Sequence, residues 1–374
     1  MPSLARRNLM HDKVRLAVTL TGVVFAVVLV AVQIGLFIGF IRATADIIDS
    51  SRADLWIVSK GVGYIEVGQV VDEGKRYQAL GVEGVERVDT YILQFSQWTM
   101  PNGAEEGIQI IGFNLRSGMG GPWNIVEGDV RDLELPDTVI VDRLYCSKLG
   151  VSKVGDTVEI RGRRARIVGF TEGIRTFTTS PAVFTSFKNA LGYAGLEEHE
   201  TIYFLVKVAP GADVEAVREG LLERVADVDV LTTAEFSRKT TAYWLLATGA
   251  GVTVLIAAFL GLVVGVVVVA QTIYAATVDH IREFGTLKAM GASNGYIIRV
   301  ILKQAAISAC IGYALGIAIA YVAVWSSKGG GAAIVLPWEV AAGLYLLTLA
   351  MCMGAAVVSI NKVTRIDPAL VFKA

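Results

Sequence analysis

Four stretches of this chain contain no Asp, Glu, Lys or Arg: Leu16 to Ile41, Thr240 to Val278, Gln304 to Ser327 and Val340 to Asn361. About 20 apolar residues in helical form cross the roughly 30 Å hydrocarbon layer of a bilayer, so each stretch is long enough to span it. A soluble core helix rarely goes so long without a charge. Overall composition agrees, with 53% hydrophobic residues, 18% charged residues and a mean hydropathy of +0.55. The first stretch ends near Ala43-Thr44-Ala45, which looks like a signal-cleavage site. It is too long for a signal core of about 7–15 residues, and we read it as a retained span.

Orientation follows the Lys/Arg bias of the short segments. Basic residues collect before the first span (Arg6, Arg7, Lys13, Arg15), in 279–303 (Arg282, Lys288, Arg299, Lys303) and after the last span (Lys362, Arg365, Lys373). Segment 328–339 carries only Lys328. Both termini and 279–303 are therefore expected in the cytoplasm of a bacterial inner membrane, with 328–339 outside. Trp244, Trp325 and Trp338 fall at expected outer ends, where indoles favour the interface.

The long segment 42–239 lies between the first two spans and is expected outside. It holds 22 basic and 30 acidic residues, and no strongly basic domain is present, so nucleic acid is an unlikely partner. Alternating apolar runs predict strands at Asp54–Ser59, Arg87–Thr99, Gly107–Phe113, Thr138–Val141, Thr157–Arg161, Arg166–Thr171 and Thr201–Val208. Helices are predicted at Asp142–Leu149 and Asp213–Val225, and Pro101-Asn102-Gly103 marks a hairpin. The fold class is thus an α-helical membrane protein with four transmembrane helices and a large mixed α/β extracytoplasmic (periplasmic) domain inserted between helices 1 and 2. The polar start of the second run, from Thr240, is expected to continue its helix upward as a stalk. The cluster Gly118–Pro122 and the acidic run near Glu197 suggest lobe boundaries. The layout is an amphipathic helix over 1–15, spans at 16–41, 240–278 (stalk included), 304–327 and 340–361, a cytoplasmic loop at 279–303, an outer loop at 328–339 and a tail at 362–374.

Several chemistries are absent. Gly68 to Arg76 has the wrong spacing for a phosphate-binding loop and lacks its Ser/Thr. No nucleophile elbow, zinc-protease motif or Cys/His metal spacing occurs, and Cys146 is the lone cysteine in 42–239. The chain is expected to be a transport subunit without a nucleotide site, metal or cofactor of its own. The arginines at 161, 163, 164 and 166 read as a solvated hairpin or, in a sharper form, as a contact for anionic lipid or a periplasmic partner. Gly35/Gly39, Gly261/Gly265 and Gly312/Gly316 have small-xxx-small spacing, which lets helices approach closely, either within one subunit or at a dimer seam.

The segment from Asp279 to Ser293 has apolar residues at helical spacing, a Gly291 suited to a helix stop, and Ser293 or Asn294 placed to cap the next helix. Within it, Glu283-Phe284-Gly285-Thr286-Leu287-Lys288-Ala289-Met290-Gly291-Ala292-Ser293 resembles the E-x-G-x-L-K-A-x-G-A-S signature of FtsX-like permeases. Asp367-Pro368-Ala369 resembles the family's closing motif, and Asn8–Arg15 with Gly22–Val27 resemble the DevC-like exporter branch. The one-plus-three arrangement of spans around an exported domain is similar to that of MacB-type permeases.

The resemblance implies a homodimeric ABC permease served by two copies of a separate ATPase, which would hold ATP and magnesium. It implies mechanotransmission, in which ATPase closure moves the coupling helix and reshapes the periplasmic domain. That domain would comprise a discontinuous Porter-like lobe (about 42–113 and 199–239) and an inserted Sabre-like lobe (about 114–198). Arg282, Glu283, Gly285, Lys288, Ala289 and Gly291 would form the ATPase-coupling site. A lipid, glycolipid or other amphiphile is the expected cargo, with a membrane fusion protein and an outer-membrane channel as possible partners. The alternative is a non-transporting signalling scaffold that activates a periplasmic partner such as a hydrolase.

Overall fold

The computed structural model describes residues 13–178, 180–279, 285, 286, 288, 290–327, 329, 330 and 334–364. They form two compact units: one includes the chain to Gly39, Val252–Lys328 and the segment from Ala332, and the other is Phe40–Gly251 with Gly329–Gly331.

Chain order is α1 (Lys13–Asp49), β1 (Leu55–Ser59), β2 (Val71–Asp72), α2 (Lys75–Leu80), β3 (Val85–Thr99), β4 (Glu105–Phe113), β5 (Ile125–Gly128), β6 (Thr138–Asp142), α3 (Cys146–Leu149), β7 (Thr157–Ile160), β8 (Arg163–Thr171), β9 (Ala182–Ser186), α4 (Phe187–Ala194), β10 (Glu200–Thr201), β11 (Tyr203–Val208), α5 (Val214–Arg224), β12 (Val228–Thr232), α6 (Thr233–Ala242), α7 (Ala250–Asp279), α8 (Asn294–Ser327) and α9 (Trp338–Thr364). A π-helical turn, Tyr243–Ala247, follows α6.

Four helices are long and apolar enough to cross a membrane: Leu16–Asp49, Gly251–Ala275, Asn294–Ser327 and Trp338–Val358. The second does not rise unbroken into a stalk, as the uncharged run had suggested. The helix is interrupted at 248–249, where Gly249 takes φ +72°, a conformation most side chains resist. Absence of charge identifies what can enter lipid, but it does not identify where a helix stops.

In the membrane unit α1 is the common partner. A Cβ added at Gly312 or Gly316 would come within 2.8 Å of Val23 or Val27 on α1. Gly261 and Gly265 on α7 face Gln33 and Val30 of α1 at 3.0 and 3.1 Å by the same measure. The Gly35 carbonyl accepts from the Val335 amide at 3.0 Å, and Gly39 is buried. The small-residue faces thus let helices of one chain meet backbone to side chain. The resulting core includes Val23, Ala26, Val27, Val30, Ile301 and Ala309.

In the other unit, one sheet runs in the order β12-β1-β11-β3-β4-β9-β6-β8-β5, with β7 alongside β3 and β8. β4–β9 and β6–β8 are parallel, and the remaining pairs of this sheet are antiparallel. The 15-residue β3 explains its continuity. Its first half pairs with β11 and its second half with β4 and β7. The suggested lobe boundary near 114 therefore does not separate two sheets: a single apolar core includes Trp56 and Tyr203 on one flank and Ile140, Phe170 and Phe184 on the other. Helix α5 closes a second core with Phe204, Val206, Val217 and Leu221.

Local chemistry sets the turns. Gly103 at φ +82° follows Asn102, whose Oδ1 accepts from the Ala104 amide at 3.0 Å, closing the predicted hairpin. The β7–β8 turn places both Arg161 (φ +50°) and Gly162 (φ +72°) in the left-handed region, as a two-residue hairpin with native twist requires. Arg161 Nη1 donates to the Ala194 carbonyl at 3.0 Å, closing the C-terminus of α4. This arginine therefore has an internal partner, while Arg164 and Arg166 are exposed.

Candidate functional site

The segment joining α7 to α8 is the first site to locate. Of its six candidate coupling residues, Arg282, Glu283 and Ala289 lie outside the described residues. Gly285 is helical and buried, and Lys288 is helical and half-buried. The helix then stops: the Met290 amide donates to the Thr286 carbonyl and the Gly291 amide to that of Lys288, both at 3.0 Å, with Gly291 at φ +92°. That left-handed geometry is why a glycine stands there. Ser293 opens α8, its Oγ accepting from the Tyr296 amide at 3.3 Å. Met290, 71% exposed, projects from the turn.

The second site escaped the sequence reading. In the exported unit, a ladder of aromatic rings joins four segments distant in the chain. Phe40, near the end of α1, meets Phe177 edge-on at 4.7 Å between centroids. Phe177, in the loop after β8, meets Trp244 of the π-turn at 4.5 Å. Trp244 meets Tyr64 edge-on at 5.5 Å, and Tyr64 stacks on Tyr243 at 3.7 Å. Ring pairs in such arrangements contribute about 0.5–1.5 kcal/mol each beyond their burial. Trp244, read from the sequence as a membrane-interface anchor, is thus also a half-buried, packed member of the domain. Trp325 and Trp338, each 73% exposed, remain free to play that part.

The loop bearing Phe177 is held from behind. Asp142, fully buried, accepts from the Leu144 amide at 3.0 Å, the Thr171 hydroxyl at 2.9 Å and the Ile174 amide at 2.8 Å. Next to that anchor, Arg175 Nε donates to the Gly330 carbonyl at 3.2 Å. Beneath the ladder, Glu66 Oε2 accepts from the Trp244 indole N–H at 3.3 Å. Burial pushes the Glu66 carboxyl up to about 7, and hydrogen bonds from its own backbone amide and from the indole oppose that rise. A π-turn inserts one residue into a helix and recurs where helices do more than support a fold.

Four apolar membrane helices with a mixed α/β domain between the first and second define a multi-pass permease architecture. Two family models match this chain: the MacB-like periplasmic core domain over residues 16–224 and the FtsX-like permease C-terminal domain over residues 239–368. The chain belongs to the MacB/FtsX-type family of ABC transporter permeases. It is 25% identical over 380 residues to uncharacterised ABC transporter permeases from two strains of Mycobacterium tuberculosis, covering 98% of each chain. An uncharacterised ABC transporter permease of Methanocaldococcus jannaschii is 23% identical over 209 residues, covering 52% of this chain and 51% of that one. Among solved structures, the periplasmic region of MacB from Actinobacillus actinomycetemcomitans aligns with a TM-score of 0.40 at 11% identity, covering 50% of this chain and 92% of that one. The extracellular domain of the Gram-positive transporter YknZ aligns at 0.36 and 14% identity, covering 47% and 98%. The relatives are permease components, consistent with a subunit that performs no catalysis itself.

Proposed function

We propose that this chain is the permease subunit of an ATP-driven exporter that works by mechanotransmission. A separate ATPase, in two copies, serves a homodimer of this chain from the cytoplasm of a bacterial inner membrane, with both termini on that side. ATP-driven closure pushes the segment between α7 and α8, α7 relays the displacement, and the periplasmic domain changes shape around an amphiphilic cargo such as a lipid or glycolipid. A DevC-like exporter would add a membrane fusion protein and an outer-membrane channel.

The observation that supports this reading best is the signature at 283–293, within the FtsX-like match. It stands between two membrane helices and closes on a left-handed Gly291 followed by a capped α8. A short helix held between two rigid spans suits transmission of a push, because its displacement is passed to both. The test is a mild-detergent pull-down from native membranes, comparing wild type with Glu283→Lys. Wild type is expected to recover an ATPase, and the variant to lose it while still inserting normally. Equal recovery with unchanged ATP turnover would remove the docking assignment. Recovery of a periplasmic hydrolase without cargo flux would replace export with signal transmission.

A further inference from the structure

Glu66 is a carboxyl of the exported unit that burial holds largely out of water. It sits on a 3-10 turn, Ile65–Val67, whose Ile65 side chain is buried. The carboxylate faces the Trp244 indole from the π-turn, the Tyr64 hydroxyl from its own segment and the Tyr203 hydroxyl from β11, which is committed to the Ile65 carbonyl. The Tyr64 and Tyr243 hydroxyls are hydrogen-bonded to each other, which pushes Tyr64 up to about 12, and burial holds Tyr203 well above its usual range. Among the described residues, no charged side chain acts on Glu66. Charge on this carboxylate therefore has no counter-ion and is met by two N–H donors, its own backbone amide and the Trp244 indole.

The surroundings convert that charge into a mechanical variable. Trp244 is held on one side by Phe177, whose loop Asp142 fixes, and on the other by Tyr64. Two residues beyond the π-turn the helix breaks at Gly249. Such a turn can return to α-helical spacing by shedding its extra residue, which rotates the helix by about 100°. Seating the Trp244 ring blocks that return.

We propose that Glu66, Trp244 and the flanking rings form a proton-sensitive latch on the π-turn, closed when Glu66 is neutral and released when it is ionised. The neutral acid stays under the indole at little cost. The carboxylate gains more from water than from two N–H groups, one of which, its own amide, moves with it, and draws the Ile65–Val67 turn away from the ring. The sign follows from linkage: the closed state binds the proton more tightly than the open one, so closure is favoured at low pH and lost as pH rises toward and through about 7. The latch's part in transport rests on the mechanism proposed above, but its existence does not.

The test is hydrogen–deuterium exchange on the full chain in lipid nanodiscs without any ATPase, corrected for intrinsic exchange. Between about pH 5.5 and about pH 8.5, opening of amides in 172–178 and 240–249 is expected to rise roughly 30-fold in wild type, from the open and closed affinities of Glu66 for its proton. Glu66→Gln should stay closed across that range. Trp244→Phe keeps a ring but loses the N–H that favours the carboxylate, so its midpoint should move to higher pH, which loss of packing alone would not cause. Opening that is flat with pH in wild type, or an unchanged slope in Glu66→Gln, would overturn the latch. A latch that titrates as described, in a complex whose ATP turnover and cargo release ignore Glu66→Gln, would stand as a structural switch and remove mechanotransmission through this turn.

Discussion

The exported unit closes around its largest side chains: Trp56, Trp98, Tyr91, Tyr203, Phe204 and Phe236 are all under 2% exposed, and Trp56 meets Tyr91, Tyr203 and Phe236 within 6 Å between centroids. The membrane unit closes around its smallest, with Gly261, Gly265, Gly312 and Gly316 set against α1 and Ala26, Ala31, Ala309 and Ala320 buried nearby. Many of its larger apolar side chains point outward, among them Leu255, Ile256, Phe259 and Val263 on α7, although Ile273, Ile301 and Leu344 are buried. In water, burying a large ring removes the most apolar surface. In lipid, that gain vanishes because the solvent is apolar too, and close contact between backbones takes over. Large-to-small changes should therefore be most damaging in one unit, and small-to-large changes in the other.

Trp56→Ala should have the largest effect, about 3–5 kcal/mol from lost burial and the cavity left among three aromatic neighbours. Exchange protection of the β1, β11 and β3 amides in the intact protein would measure it, and the membrane helices should be unaffected. A loss under about 1 kcal/mol would mean that the rings collapse to fill the space.

Asp142→Ala comes next, at about 3 kcal/mol, because it strands the Leu144 and Ile174 amides and the Thr171 hydroxyl in a dry interior. The loop 172–178 should respond more than the sheet. If β6 and β8 opened equally, Asp142 would be part of the sheet's stability and not a tether for Phe177.

Gly312→Leu reverses the direction. A Cβ there would lie 2.5 Å from Val23 Cγ1, so α1 and α8 must separate, at a cost of about 1–3 kcal/mol. Unfolding in mixed micelles would detect this, and Gly343→Leu, with open space at its Cβ, serves as the control. Equal effects at 312 and 343 would remove the close-packing account.

The legibility of the two units in sequence follows the same contrast. The membrane helices were evident because lipid excludes charge over a long run, and that signal needs no tertiary information. The strands β3, β4 and β11 were legible from alternation, whereas β9 (Ala182–Ser186) and β12 (Val228–Thr232) were not. β9 is buried at four consecutive positions and so shows no alternation, while in β12 Val228 and Val230 alternate with Asp229 over a stretch too short to stand out beside the preceding helix. The same limit hid the aromatic ladder: residues 40, 64, 177 and 244 meet only once the sheet has placed their loops together. Glu66 gave no sign either, since one carboxylate in an acidic segment looks solvated until Trp244 and Tyr203 cover it.

The arginine hairpin gives the smallest and most discriminating prediction. Arg161 occupies a left-handed turn position that suits Gly or Asn, yet its guanidinium binds the last carbonyl of α4, next to Gly195 at φ +73°. Two opposing effects meet at one residue: backbone strain, and a cation at a helix C-terminus that contributes a few tenths to about 1 kcal/mol. Arg161→Ala loses the cation and keeps the strain, so protection of the α4 amides should fall by up to about 1 kcal/mol. Arg161→Asn loses the cation but relieves the strain, and should lie closer to wild type. Were the cluster instead a contact for anionic lipid, both variants would weaken binding to anionic vesicles equally and leave α4 unchanged. The order of the two variants in α4 protection therefore decides between a helix cap and a lipid contact.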